Sequence, residues 1–308
     1  MNPPSKWGLF TLLGLGITAI SFSAIFIKWS HAPAGVLGMN RLWLTDVLLL
    51  PWIWRVRGEF RSLTRRDWLW LIASGIFLGI HFWGWITSFQ YTSVASSMIL
   101  LNLSPLFTAV GATVFFKGRL RPSASLGMVL ALAGTGLVAG EDWRWGGGAW
   151  YGDLLSMIGA VAVAIHTLIG GRLRERISAL VYSFTVFFLA ALVLLFVNLG
   201  EGVPLFAYPL REWGIFILLA VVPTLFGHFL FNSLLRFVKP LTVQMAVLGE
   251  PVGAILLSAV LLGEPVTAQA FWGGVLSVGG IAWYMAVQLE KEPRQTEVAE
   301  RKMPIGQK

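Results

Sequence analysis

The amino-acid sequence predicts an all-α integral membrane protein whose ten transmembrane helices form two inverted five-helix repeats around a central cavity. Three observations predict this class. Of the 308 residues, 56% are hydrophobic and 12% are charged, and the mean hydropathy of +0.74 is too high for soluble domains of this length. Ten apolar segments are long enough to cross a bilayer. The second half of the chain also repeats features of the first half, at an offset of 146 residues.

The charge, the cysteine count and the missing motifs exclude several classes of protein. In a chain this apolar, a net charge of +8 indicates basic loops facing anionic lipid and gives no support for nucleic-acid binding. The absence of cysteine excludes disulfides, zinc–thiolate sites, iron–sulfur clusters and cysteine nucleophiles. There is no HExxH, GxSxG or P-loop motif, which argues against proteolysis, lipase chemistry and ATP-driven transport. We therefore expect no enzyme, no catalytic residue, no metal site and no cofactor.

Ten helices follow from the apolar segments, because a bilayer core of about 30 Å requires roughly 20 apolar helical residues. The first segment is too long for a signal-peptide core and lacks a cleavage pattern, so we expect it to be retained. The predicted helices 1 to 10 cover residues 7–27, 34–54, 68–89, 94–116, 123–140, 150–170, 179–199, 213–235, 241–262 and 268–289.

The basic residues predict the orientation of the chain in the membrane, since cytoplasmic loops are enriched in Lys and Arg. If the amino terminus is cytoplasmic, nineteen Lys and Arg lie on that side, three lie outside and one, Arg41, lies within a helix. Both termini are therefore expected in the cytoplasm, with the protein in the inner (plasma) membrane. Residues 291–308 are polar and charged and predict a disordered cytoplasmic tail.

The internal repeat divides the chain. An offset of 146 superposes Pro105 on Pro251, Gly127 on Gly273 and Gly134 on Gly280. Each half holds five helices, and because five is odd the second half enters the membrane from the opposite side. We therefore expect a first repeat over residues 1–143 and a second over residues 144–290.

Two prolines fall in the middle of predicted helices 4 and 9 and are related by the repeat. A proline removes a backbone hydrogen bond and bends the helix, leaving a free acceptor at membrane depth. Pro105 and Pro251 are therefore predicted hinges beside a midplane cavity. The alternative is that they merely curve their helices, as prolines commonly do in membranes.

Few polar groups lie at membrane depth, where an Arg or Asp costs about 2.5 to 3.5 kcal/mol on insertion scales. Arg41 and Asp46 are five residues apart and on different sides of one helix, so each needs another partner. Glu250 precedes Pro251 and has three possible roles: binding a substrate ammonium, taking up a proton, or neutralising Arg41; a purely structural ion pair is the alternative. The predicted substrate-binding residues are Glu250, Arg41, His81, Trp85, Asn102, His228, Asn232 and Gln244.

Helical spacing groups several of these residues. His81 and Trp85 share one face of helix 3, and His228 with Asn232 does so on the matching helix of the second half. An interhelical hydrogen bond is as good an explanation for each histidine as a ligand contact. Asn102 lies on the face of Pro105 in helix 4, with Gln244 in the corresponding part of helix 9.

The sequence resembles the drug/metabolite transporter superfamily, in its ten-helix EamA-type branch. The resemblance rests on Gly249-Glu250-Pro251-Val252-Gly253, on the turn Gly263-Glu264-Pro265-Val266, and on the glycine pairs at 273–274 and 279–280. Weaker matches are Leu103-Ser104-Pro105-Leu106-Phe107 and Arg41. One departure is Lys117-Gly118-Arg119, where the family usually has Gly-Glu.

The resemblance implies secondary transport of small metabolites, with helices 3, 4, 8 and 9 around the cavity. Export of amino acids or related amphipathic compounds is common in the family, which includes aromatic amino acid exporters. Membership does not choose among substrates.

We therefore predict an alternating-access transporter, an exporter of small metabolites such as amino acids. Its expected partners are a small-molecule substrate and the lipid bilayer, in a monomer or weak dimer. Protons are a candidate coupling ion, and a facilitator without a driving ion is the alternative. A non-transporting membrane scaffold or a pore is the competing hypothesis, although apolar helices offer a pore little polar lining.

Overall fold

The computed structural model describes residues 4–92, 94–116, 121–139, 149–261, 263 and 266–289. All regular secondary structure in these ranges is helical. Nine helices are long and apolar enough to cross a membrane, and a tenth apolar helix, Pro122–Val138, is shorter. The prediction of an all-α protein with ten membrane helices is confirmed. The repeat boundary at residues 143 and 144, the tail 291–308 and the motif residues 117–119 and 264–265 lie outside the described part of the chain.

Seven of the ten membrane helices are continuous. They are α1 Lys6–Trp29, α2 Ala34–Val56, α3 Arg65–Ser88, α5 Pro122–Ala139, α6 Trp150–Leu173, α7 Ala179–Gly200 and α10 Ala268–Leu289. A short 3₁₀ helix, Arg57–Ser62, follows α2. Every predicted boundary lies within about three residues of the observed one, because the bilayer sets the length of each apolar segment.

Three membrane helices are built from shorter pieces. Helix α4 consists of α4a Val94–Leu101 and α4b Ser104–Phe116, and α9 consists of α9a Pro240–Val247 and α9b Glu250–Leu261. Helix α8 runs through Leu210–Leu219, a π-helical segment Ala220–Phe229 and Leu230–Leu234. The sequence predicted all three as single helices, bent by proline in α4 and α9.

The breaks in α4 and α9 come before the prolines, not at them. Each proline is the second residue of its new helix, where its missing N–H has no partner to lose. An offset of 146 carries the bounds of α4a onto those of α9a, and the start of α4b onto that of α9b. Two discontinuous helices, related by the repeat, thus interrupt the backbone at corresponding depths.

The main contacts between helices also follow the repeat: each is matched by one between the corresponding helices. Helix α1 packs against α8 and α9, and the corresponding α6 packs against α3 and α4. Likewise α2 packs against α8 as α7 packs against α3, while the pairs α2–α7 and α5–α10 each map onto themselves. This pattern is that of two five-helix repeats related by a pseudo-two-fold axis, inverted because each repeat has five spans.

Glycines hold α5 against α10. A Cβ at Gly134 would lie 2.6 Å from the carbonyl oxygen of Gly273, and one at Gly127 would lie 2.9 Å from that of Gly280. The four repeat-related glycines therefore let the two backbones touch.

Polar contacts tie loops together at each end of the bundle. At one end Arg176, after α6, pairs with Asp67 of α3, whose carboxylate also caps that helix through Thr64. At the other end Glu212 of α8 accepts hydrogen bonds from the Ser30 hydroxyl (2.5 Å) and the His31 N–H (3.1 Å) between α1 and α2. We name these contacts the Asp67 latch and the Glu212 latch.

The same end as the Asp67 latch holds a buried arginine. The Arg174 Nε donates to the carbonyl of Asn232 at 2.9 Å, which satisfies a free carbonyl in the last turn of α8. Burial lowers the pKa of Arg174 to about 10, so this guanidinium stays charged at neutral pH. The loops predicted to share one side of the membrane are therefore in contact with one another.

Candidate functional site

Arg41 of α2 is the centre of the site. Its side chain is 1% exposed, its Nε donates to the Thr224 hydroxyl at 2.9 Å, and its guanidinium carbon lies 5.0 Å from the centre of the Phe82 ring. The two terminal nitrogens have no hydrogen-bond partner among the residues that the structure describes. Arg41 is thus fixed in place with the open end of its guanidinium unused.

The π-helical segment of α8 positions Thr224. Pro223 has no N–H, so it cannot donate a helical hydrogen bond to the carbonyl one turn before it. The Thr224 hydroxyl donates to the carbonyl of Leu219 at 2.8 Å, and the Thr45 hydroxyl of α2 donates to that of Ala220 at 3.1 Å. The displaced backbone hydrogen bonds thereby place the Thr224 oxygen where Arg41 can donate to it.

Glu250 faces Arg41 from α9. It is the first residue of α9b, directly after the break, and its carbonyl accepts a hydrogen bond from the Ser21 hydroxyl at 3.2 Å. The charges of Glu250 and Arg41 interact, although within the described ranges no direct ion pair joins them. Glu250 lies deep in the bundle yet keeps part of its surface accessible, as does His228.

Aromatic rings line the same region. The rings of His81 and Trp85 stack at 6.0 Å, as their helical spacing predicted, and the ring of His228 lies edge-on to Phe82 at 5.5 Å. The Nδ1–H of His81 donates to the carbonyl of Gly159 at 3.1 Å, so this histidine does make an interhelical hydrogen bond. The Trp85 indole N–H is buried without a partner in the described part of the chain.

The predicted amides fall into two groups. Gln244 is fully engaged, since it donates to the Thr167 hydroxyl at 2.6 Å and accepts from the Ser104 hydroxyl at 2.8 Å, joining α9, α6 and α4. Asn232 donates to the Ser183 hydroxyl at 3.2 Å. Asn102, at the break in α4, is buried, and its side-chain nitrogen has no partner within the described ranges.

Asp46 lies outside this group. It is 5% exposed, and neither carboxylate oxygen has a hydrogen-bond partner among the described residues. Arg41 interacts with Glu250 rather than with Asp46, in agreement with the angle between them on the helix.

The charged residues of the site have no charged counterparts at the repeat-related positions. Under the repeat offset, Arg41 corresponds to Phe187, Thr224 to Leu78 and Glu250 to Ser104. Phe187 and Leu78 are buried in an apolar core. The sequence analysis singled out the two charged residues of this group, Arg41 and Glu250, but not Thr224 or Phe82. Pro223, directly before Thr224, was the nearest sequence signal for an irregular helix there.

Two concavities lie elsewhere on the molecule. One is lined by Trp29, Arg211, Gly214, Ile215, Ile217 and Leu218, and the other by Phe77, Ile80, Met157, Ile158, Val161 and Ala162. Neither includes a predicted substrate-binding residue. The group around Arg41 instead combines a guanidinium, a carboxylate and aromatic rings, which are side chains that typically orient small ligands.

Comparison with known proteins gives consistent matches. The chain matches the EamA-like transporter family over residues 3–140 and again over residues 150–286. An uncharacterized transporter of Archaeoglobus fulgidus is 23% identical over 273 residues, 88% of this chain and 94% of that protein. The uncharacterized transporter YetK of Bacillus subtilis is 25% identical over 310 residues, 96% of this chain and 92% of YetK.

Two further relatives are less similar in sequence or extent. The biotin transporter of Escherichia coli K12 is 25% identical over 197 residues, 62% of this chain and 63% of that protein. A solved crystal structure shares the fold with a TM-score of 0.78 at 16% identity, over 92% of this chain and 99% of the other. Because the family match covers most of both halves, the chain belongs to the EamA-like transporter family and is a multi-pass membrane transporter.

Proposed function

We propose that this transporter exports small amphipathic metabolites, such as amino acids or related compounds, by alternating access. The site between Arg41 and Glu250 binds the substrate and opens to one side of the membrane at a time. The observation that carries the proposal is the buried Arg41 guanidinium with Glu250 as its opposite charge, at the point where α9 is interrupted and the Glu250 residue stays partly accessible. The biotin transporter among the relatives supports a small metabolite as cargo.

The repeat supports the mechanism. The Asp67 latch and the Glu212 latch lie at opposite ends and join corresponding elements of the two halves, α3 with the α6–α7 loop and α8 with the α1–α2 loop. When one latch opens while the other stays closed, the site opens to one side of the membrane. The reverse state has the same form with the two halves exchanged, and it opens the site to the other side. Substrate binding shifts this equilibrium only through contacts that differ between the two states.

The remaining assignments complete the proposal. The predicted substrate-binding residues line the route, with Pro105 and Pro251 beside the points where α4 and α9 bend. The protein resides in the inner membrane with both termini in the cytoplasm, as a monomer or weak dimer, and protons are the coupling ion.

Transport by purified protein in proteoliposomes tests the function. Glu250→Gln is nearly isosteric, so we expect normal folding, judged by thermal unfolding, together with impaired proton-dependent flux. Asp46→Asn removes a buried carboxyl that has no electrostatic contact with Arg41 and serves as the matched control. If the Glu250 variant moves substrate with the parent's kinetics at every pH, the assignment of Glu250 is wrong.

A further inference from the structure

The unpartnered nitrogens of Arg41 indicate which ligand chemistry fits beside this guanidinium. A guanidinium cannot be deprotonated in a protein, and a buried charge without a partner strongly destabilises the structure. Thr224 and Phe82 occupy the Nε and one face of this guanidinium, leaving two parallel N–H donors free among the described residues. That pair of donors matches the two oxygens of a carboxylate.

The side chains around Arg41 indicate the chemistry of the rest of the ligand. The Phe82 ring is an apolar wall next to Arg41, the Trp85 ring lies 6.4 Å from that of Phe82, and Trp85 adds a second unpartnered N–H donor. The unpartnered polar atoms of Arg41 and Trp85 are all hydrogen-bond donors, which favour an anion over a cation. The ligand class is therefore a monocarboxylate with an apolar or aromatic body.

Binding of a carboxylate to Arg41 also alters the charge balance at Glu250. Arg41 and an ionised Glu250 together carry no net charge, so a bound carboxylate leaves one uncompensated negative charge in a medium of low dielectric constant. Arg41 is the one charged group in the described residues that acts on Glu250. Removing the excess charge therefore requires a proton on Glu250.

We propose that the substrate's carboxylate binds the free nitrogens of Arg41 while Glu250 takes up one proton, so that carboxylate and proton cross the membrane together. The inference rests on the proposed function and names its substrate class and coupling. The proton comes from water on the open side, bonds to a Glu250 carboxylate oxygen and returns to water when the substrate leaves. Transport of a monocarboxylate is then electroneutral, so the membrane potential does not act on it, and net export occurs when the outward carboxylate gradient exceeds the inward proton gradient.

Among the residues that the structure describes, three histidines are the other titratable groups near Arg41 and Glu250. His81 of α3 and His228 of α8 interact electrostatically with Arg41, and His166 of α6 interacts with both histidines. His81 and His166 are each hydrogen-bonded to a backbone carbonyl. At Glu250 itself, α1 contributes the uncharged Ser21.

Calorimetric binding to the purified full-length protein in nanodiscs tests the proposal. The probes are phenylacetate, its neutral amide phenylacetamide, and the cation phenethylamine. We expect only phenylacetate to bind, with a Kd that falls about tenfold for each unit decrease in pH while Glu250 is ionised in the free protein. The sign follows because binding takes up a proton.

Variants separate the parts of the proposal. Glu250→Gln should bind phenylacetate with a Kd that no longer depends on pH, since one negative charge is permanently removed. Asp46→Asn should keep the parent's pH dependence. Arg41→Gln should lose phenylacetate binding, and since this variant risks misfolding, the Glu250 and Asp46 variants suffice on their own.

Several results overturn the inference: no binding of phenylacetate to folded parent, preferential binding of phenethylamine, or equal pH dependence in the parent and Glu250→Gln. Loss of pH dependence in Asp46→Asn also overturns it. A transporter that carries phenethylamine in proteoliposomes would retain the proposed function without this substrate class. Conversely, the expected binding without any flux would contradict the transport function and leave the site assignment intact.

Discussion

At the scale of single residues, Thr224 determines how Arg41 is used. Its hydroxyl donates to the Leu219 carbonyl and accepts from Arg41, so one oxygen serves both the irregular helix and the guanidinium. The Thr45 hydroxyl of α2 donates to the carbonyls of Ala220 and Arg41, so it links α2 to the same irregular segment of α8. The orientation of Arg41 thus depends on a proline-induced defect in another helix.

Replacement of Thr224 tests this dependence. Thr224→Val keeps the shape but removes the hydroxyl, leaving the Arg41 Nε without its hydrogen-bond partner, so we expect a loss of about 1 to 3 kcal/mol in unfolding free energy and weaker phenylacetate binding. Thr185→Val is the control, because Thr185 is buried but bonds only to its own helix. If the two variants bind phenylacetate equally well, Thr224 is not part of the site.

At the scale of secondary-structure elements, contacts between repeat-related segments hold the halves together. Helices α5 and α10 touch through their glycines, and the latches join loops to the starts of α3 and α8. The first contact is apolar and tight, and suits a permanent interface. The latches are polar and lie at the ends, and suit contacts that open and close.

The glycine contact predicts a position-specific loss of stability. Gly134→Ala places a methyl group against the backbone of α10, so we expect unfolding free energy to fall by about 1 to 3 kcal/mol. Gly136→Ala meets open space two residues away and should be neutral, or stabilising by up to about 1 kcal/mol. Thermal unfolding of both variants in one detergent gives the comparison. Similar melting temperatures would mean that the α5–α10 contact is not tight.

The latches predict opposite local responses. Glu212→Ala removes charge-assisted hydrogen bonds to the α1–α2 loop, so amide hydrogen exchange around His31 should rise by about tenfold, while residues 174–178 keep their protection. Asp67→Asn should raise amide hydrogen exchange at residues 174–178 and leave the protection around His31 unchanged. Increased exchange at both ends in either variant would indicate general destabilisation rather than independent latches.

At the scale of the whole molecule, the architecture follows from the sequence more completely than the site does. Bilayer thickness constrains every apolar segment, and Pro105 with Pro251 marks the interrupted helices, so element number, boundaries and repeat were predictable. The Arg41–Thr224 contact joins residues 183 positions apart and depends on a π-helical segment, which no local pattern encodes. Charged residues at membrane depth stand out in a sequence, whereas their neutral partners do not.

Cross-linking the latches tests alternating access most directly. The chain has no cysteine, so Ser30→Cys with Glu212→Cys, or Asp67→Cys with Arg176→Cys, introduces a unique pair at one end. We predict that cross-linking either pair stops phenylacetate exchange in proteoliposomes, that binding persists from the unlocked side, and that reduction restores flux. Unchanged exchange with one end cross-linked would contradict a carrier whose two ends open in turn.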